Sequence, residues 1–216
     1  LARTEIAVPG YDFTAVKDPA AGTVTLGGSL PDEPARQSLL EAARRLFFRE
    51  KVVDQLKIDP SGAPPGFAAA ALAALRQLAR LDAGQLGIKG TDVTLSGSSF
   101  YARAVEEIKA ALASLGGGFK VAGLGVAPVK AGPPVDAAAC QALFVDLLGK
   151  ATILFETGSA RIDRESTALL DTLAGAALRC PAQSFEIAGH TDSTGGNETN
   201  LDLSRRRAVA VVKTFA

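Results

Sequence analysis

The first half of the chain carries two short apolar strand patterns, each followed by residues of helical period. Shifted against itself by 69 positions, the sequence places Gly22-Thr-Val-Thr-Leu-Gly-Gly-Ser29 over Thr91-Asp-Val-Thr-Leu-Ser-Gly-Ser98, with Val24/Val93, Leu26/Leu95 and Gly28/Gly97 in register. At the same offset Leu39, Ala43 and Leu46 fall over Ile108, Leu112 and Leu115, the four-and-three spacing of one face of an amphipathic helix. Val52 falls over Val121 at the start of a further strand in each half. The pattern predicts an internal duplication of a strand-helix-strand unit. Between the copies, Phe67 to Leu81 is rich in Ala and Leu and follows Pro64-Pro65, which predicts a third helix. Each unit alone is too small to bury a sheet face, so the two are expected to share one sheet packed with three helices, as a domain over residues 1–127.

Residues 128–136 hold three of the chain's prolines and no helical period, which predicts an extended linker. A second domain is expected over 137–216. Its pattern gives a helix at Ala137–Leu148, a strand at Thr152–Phe155, a helix at Arg164–Leu178 and a strand at Ser184–Gly189 with Phe185 and Ile187 on one face. A polar loop, Thr191–Thr199, then leads to a helix from about Leu203, capped by Asp202, with Ala208, Val211, Val212 and Phe215 on its apolar side. The fold class is therefore α/β of the α+β kind: a tandem-unit sheet with three helices, then a βαβα domain.

Composition narrows the function. Of 216 residues 47% are hydrophobic, enough for real cores, and 23 basic residues balance 23 acidic ones. With no net charge there is no global field to attract nucleic acid or anionic lipid, so a charged ligand must be recognised locally. The longest apolar stretch, Gly66–Leu75, is too short for a membrane-spanning helix, and the repeated strands of a porin-like barrel are not visible. The chain has no Met even at position 1, which is expected of a processed or excised polypeptide. One His and two distant cysteines make a metal site improbable, and no cofactor is implied. Cys140 and Cys180 are open to two readings, buried thiols or a disulfide.

One constellation concentrates polar chemistry: Gly189-His-Thr-Asp192 and the Ser-Arg-Arg-Arg run ending at Arg207. Asp192 follows a strand, where loops project side chains into a crevice, and Arg207 shares a helix face with Leu203. A loop carboxylate facing a guanidinium suits a ligand carrying both an ammonium and a carboxylate. The plainer alternative is an Asp192–Arg207 salt bridge tying loop to helix. Arg205 and Arg206 read as solvated charges and His190 as a turn residue, because no nucleophile-base pair or paired carboxylates that would make an enzyme are in view. Asn197-Glu198-Thr199 fits a glycosylation sequon by coincidence.

Three runs carry a resemblance. Ile153-Leu-Phe-Glu-Thr-Gly-Ser-Ala160, Ile187-Ala-Gly-His-Thr-Asp-Ser-Thr-Gly195 and Asn200-Leu-Asp-Leu-Ser-Arg-Arg-Arg-Ala-Val-Ala-Val211 resemble the OmpA-like peptidoglycan-binding domain, over about residues 138–216. The resemblance implies that Asp192 and Arg207 grip the zwitterionic end of diaminopimelate in the peptide stem of peptidoglycan, with Thr157 and Gly158 on the other wall and Asn200 and Leu203 at the edge. Glu156 stands where such domains often have Asp, and Gly158 where some have Asn. These domains also continue beyond the last helix, so the domain is expected to be truncated at its C-terminal end.

The strand glycine pattern at Val24, Leu26, Gly28 and Val93, Leu95, Gly97 resembles BON modules, small units of exported bacterial proteins that are suspected of binding phospholipid or other envelope components. Tandem units joined to an OmpA-like domain also resemble a mycobacterial envelope protein whose terminal domain holds a disulfide, which implies a Cys140–Cys180 bond. The expectation is a non-catalytic wall anchor in the periplasm or cell envelope, associated with the outer membrane, whose partners are diaminopimelate-type peptidoglycan and, through the BON-like units, phospholipid or another envelope protein. The alternative is a structural or assembly module in which the Asp192/Arg207 pair is only structural.

Overall fold

A computed structural model describes residues 11–189 and 196–215. The chain divides into two compact units, Leu1–Ala127 and Pro128–Ala216, and its fold is mixed α/β.

The first unit is one six-stranded sheet in the order β3-β2-β1-β4-β5-β6. β1 (Asp12–Asp18) and β2 (Thr23–Leu30) form a hairpin, α1 (Glu33–Leu46) crosses over, and β3 (Lys51–Ile58) pairs parallel with β2. β4 (Leu81–Lys89), β5 (Asp92–Ser99), α3 (Ala102–Ala113) and β6 (Lys120–Pro128) repeat this order, and β1 pairs antiparallel with β4 at the centre. The unit of duplication is therefore strand-strand-helix-strand. Corresponding backbone bonds recur: Lys51 N–H donates to the Gly22 carbonyl at 2.9 Å, and Lys120 N–H to that of Thr91 at 3.0 Å.

The sequence pattern misses β1 and β4, the two central strands, for a physical reason at each. β1 places Phe13, Ala15 and Lys17 inward, so a charge sits where the alternation calls for an apolar residue. That charge is satisfied: Lys17 Nζ donates to the carbonyls of Ala79 (3.2 Å) and Leu81 (2.7 Å) and lies 3.7 Å from Glu50. In β4, Gly84 and Gly87 interrupt the pattern and imitate a loop. The offset of 69 also fails here. Gly28 pairs with Phe13 and Gly97 with Gly84, so residue 13 corresponds to 84, because the second hairpin turn is two residues shorter.

α2 (Phe67–Ala79) has no counterpart in the repeat and packs on β1 and β4, flanked by α1 and α3. Being covered below and on both sides explains its composition: Phe67, Ala70, Ala71, Ala74, Leu75, Leu78 and Ala79 are all buried, and small Ala side chains allow close approach. Gly28 and Gly97 sit at φ +91° and +149°, where a Cβ would lie 2.8 Å from Phe13 Cα and 2.6 Å from Gly84 Cα. Close backbone approach thus accounts for the paired glycines.

In the second unit α4 (Ala137–Lys150) starts at Asp136, whose side chain accepts from Ala139 N–H at 2.8 Å. A 3-10 turn, Arg164–Ser166, leads into α5 (Thr167–Ala177), and α6 spans Asn197–Phe215. Cys140 and Cys180 are joined by a disulfide, both buried beside a core that includes Leu147, Leu169, Leu170, Leu173 and Val211. The proline-rich stretch is pinned in part: Val135 N–H donates to the Arg179 carbonyl at 2.8 Å, and Arg179 Nε to that of Pro133 at 3.3 Å.

Two expectations are corrected here. The segments Thr152–Phe155 and Ser184–Gly189 do not form a laddered sheet among the described residues; the one bridge is Phe155 to Ile162. Alternation favours an extended chain, but a strand needs a partner in register. α6 begins six residues before Leu203, and Asp202 is no cap: it lies inside the helix and pairs with Arg206 at 2.8 Å. An i,i+4 Asp-Arg pair supports the helix interior as readily as a cap would start it.

Candidate functional site

α6 carries Arg207 on the face that also holds Ala208 and the buried Val211. The guanidinium lies over the Phe155 ring, with Cζ 5.0 Å from its centroid, and Nε donates to the Ser159 carbonyl at 3.1 Å. Both partners belong to a tight hairpin. Glu156 N–H donates to the Arg161 carbonyl (3.0 Å), Ser159 N–H to that of Glu156 (3.0 Å), and Arg161 N–H to the Ser159 hydroxyl (2.9 Å). Gly158 turns this hairpin at φ +64°, a conformation that favours glycine.

Beside Arg207 opens a cavity of about 490 Å³, lined by Thr152–Phe155, Ile187–Gly189, Ala208 and Val211 together with Leu148 and Ala151. Its wall is mostly apolar, and the guanidinium brings positive charge to it. Gly189 closes one side by seating directly on α6: a Cβ there would overlap the Ser204 carbonyl oxygen and lie 2.9 Å from its carbon.

Asp192, with His190, lies outside the described residues. Of the other expected site residues, Thr157 and Gly158 are exposed on the hairpin turn rather than in the wall of this cavity. Asn200 sits in the first turn of α6, its N–H donating to the Gly196 carbonyl at 3.0 Å, and Leu203 is half-buried one turn before Arg207. Arg205 and Arg206 are exposed. Sequence reasoning missed Phe155 and Ser159 as parts of the site, and it placed Gly189 in the polar constellation without its contact to α6. Phe155 and Ser159 belong to the quoted runs without any sign that they meet Arg207, and only the close approach to Ser204 distinguishes Gly189 from an ordinary turn glycine.

Residues 154–216 match the OmpA family, and residues 20–60 match the BON-like domain. A BON-like domain thus precedes an OmpA domain, and the second strand-strand-helix-strand unit lies between the two matches. Along its length the chain is similar to the peptidoglycan-binding protein ArfA of Mycobacterium tuberculosis and of Mycobacterium bovis, 29% identical over 199 residues in each case. The alignment covers 89% of this chain and 60% of those relatives, so the chain spans less than two thirds of their length.

Proposed function

We propose that this chain is a non-enzymatic envelope protein that holds peptidoglycan without covalent bonds, at a site built by Arg207 and Asp192. The observation that carries the reading is Arg207, fixed beside a cavity of about 490 Å³ within the very segment that matches the OmpA family. Similarity to a protein named for peptidoglycan binding supports the same ligand.

The ligand group is the zwitterionic end of diaminopimelate in the peptide stem: Arg207 takes the carboxylate and Asp192 the ammonium. Thr157, Gly158, Asn200 and Leu203 frame the approach. Residues 1–127 form the BON-like domain, 128–136 the linker and 137–216 the wall-binding domain, in the periplasm or cell envelope near the outer membrane. No described helix is long and apolar enough to cross a membrane. The BON-like domain faces phospholipid or another envelope protein.

The second reading, in which Arg207 is only a strut, draws on its bond to the Ser159 carbonyl. Sedimentation with purified peptidoglycan separates the two. Asp192→Ala and Arg207→Ala should each abolish co-sedimentation with the fold intact, since stranding the opposite charge of the ligand costs about 2–5 kcal/mol. Normal pull-down by both variants would exclude this binding site.

A further inference from the structure

The hairpin Phe155–Ile162 does more than border the site. We propose that Phe155 and the Ser159 carbonyl are positioning elements that hold the Arg207 guanidinium in place before ligand arrives, and that this fixed placement gives the site its selectivity for a stem residue bearing a terminal carboxylate. The inference rests on the reading of Arg207 as the carboxylate-binding side chain, and its test separates the two.

An arginine on a helix surface has four rotatable bonds and loses much of its freedom when it grips a ligand. Arg207 is already constrained from two directions. The Phe155 ring lies under its guanidinium at 5.0 Å, within cation-π range, and the Ser159 carbonyl takes Nε at 3.1 Å. The two contacts address different parts of the group, its face and its edge, so together they define both its position and its plane.

The hairpin is itself braced, so the placement does not drift. Leu154 N–H donates to the Ser166 hydroxyl at 2.8 Å, and Asp163 N–H donates to the Leu154 carbonyl at 2.9 Å. Phe155 bridges to Ile162, and the turn beyond closes on Ser159 through both its N–H and its hydroxyl. The Ser159 carbonyl therefore points where the turn points it. Gly158 has a structural part in this: a Cβ there would meet nothing within 4 Å, so its need for glycine comes from φ +64° and not from crowding.

Fixing a guanidinium before binding cuts the ordering cost that a matching carboxylate must overcome. A stem residue without that carboxylate gains nothing from the fixed group. Selectivity should therefore depend on a residue that touches Arg207 and need not touch the ligand.

The test compares two stem tripeptides, each amidated at its C-terminus, by calorimetric titration of the full chain, one with meso-diaminopimelate and one with lysine as its third residue, so that only the first carries a side-chain carboxylate. Phe155→Leu keeps an apolar side chain of similar reach but removes the ring face, and Phe155→Tyr keeps the face. The expected result for Phe155→Leu is a loss of about 3- to 30-fold in affinity for the diaminopimelate peptide, with the lysine peptide unchanged, so that the preference collapses. Phe155→Tyr should restore the preference. Gly158→Asn, which tolerates a left-handed backbone, should keep it, and Gly158→Val should lose it. Parallel weakening of both peptides, or no change with Phe155→Leu, would overturn the positioning role and leave Phe155 as packing. If the wild-type protein does not prefer the diaminopimelate peptide, the reading of Arg207 fails and the inference falls with it.

Discussion

Gly189→Ala is the smallest change that should move the proposed wall-binding site. The substitution adds one methyl group, whose carbon would lie 2.9 Å from the Ser204 carbonyl carbon and overlap the carbonyl oxygen. Non-bonded carbons rest at roughly 3.5–4.0 Å, so the segment must retreat from α6 by about 1 Å. The obstacle is helix backbone, which cannot rotate aside as a side chain would. Asp192 is three residues further along the sequence, so on the proposed reading the acidic half of the clamp is expected to shift while Arg207 stays on the helix. Binding constellations need their groups held within about 0.5 Å, so the expected loss is about 1–3 kcal/mol, or roughly 5- to 150-fold in affinity for a diaminopimelate stem peptide. Reduced backbone entropy in the unfolded chain works the other way, but only on stability and by less than about 1 kcal/mol. The assay is calorimetric titration of the intact chain, with circular dichroism to show that it is folded. Gly149→Ala is the control, because a Cβ at that helical position meets nothing within 4 Å. Wild-type affinity in a folded Gly189→Ala variant would refute the reasoning.

Gly28→Val and Gly97→Val should each destabilise the first unit by about 3–5 kcal/mol, since both combine a left-sided φ with a backbone collision; differential scanning calorimetry should show its transition fall while peptidoglycan co-sedimentation persists. Lys17→Met should cost about 3–5 kcal/mol in chemical unfolding by stranding the covered Glu50 carboxylate, whereas adding Glu50→Leu should recover part of that and leave about 1–3 kcal/mol, because the Ala79 and Leu81 carbonyls still lose their donor. Burial, with Asp59 and Asp32 adding to it, pushes the Tyr11 phenol from 10.0 up to about 12. The folded chain therefore keeps a proton that the unfolded chain releases, and this contribution is whole below pH 10 and lost as pH rises towards 12. Urea unfolding at about pH 9 and about pH 11 should show a smaller fall for Tyr11→Phe than for wild type. Reducing the Cys140–Cys180 bond, which closes a 40-residue separation, should remove about 4 kcal/mol from the second unit, seen as a lower thermal midpoint in the presence of a thiol reductant.

The duplication, the outer strands β2, β3, β5 and β6, and helices α1 to α5 were legible in the chain, because each follows from a period of hydrophobic positions or a local cap that acts within a few residues. Asp192 and Arg207 are also marked by the sequence as a candidate charge pair, of which Arg207 lies among the described residues. What periodicity could not reveal depends on partners distant in sequence. β1 and β4 exist as strands because each has a neighbour on both sides, which outweighs an inward Lys17 in one and glycines in the other. Lys17 itself is tolerable because the end of α2 presents the Ala79 carbonyl, the start of β4 presents that of Leu81, and Glu50 lies 3.7 Å away. Conversely, Thr152–Phe155 and Ser184–Gly189 have the alternation of strands without a ladder among the described residues, since hydrogen-bonded pairing is a property of two segments and not of one. The same distinction runs through the site. The charge on Arg207 is written in the sequence, but its orientation comes from Phe155 and Ser159, 52 and 48 residues away, and no local rule joins positions so far apart.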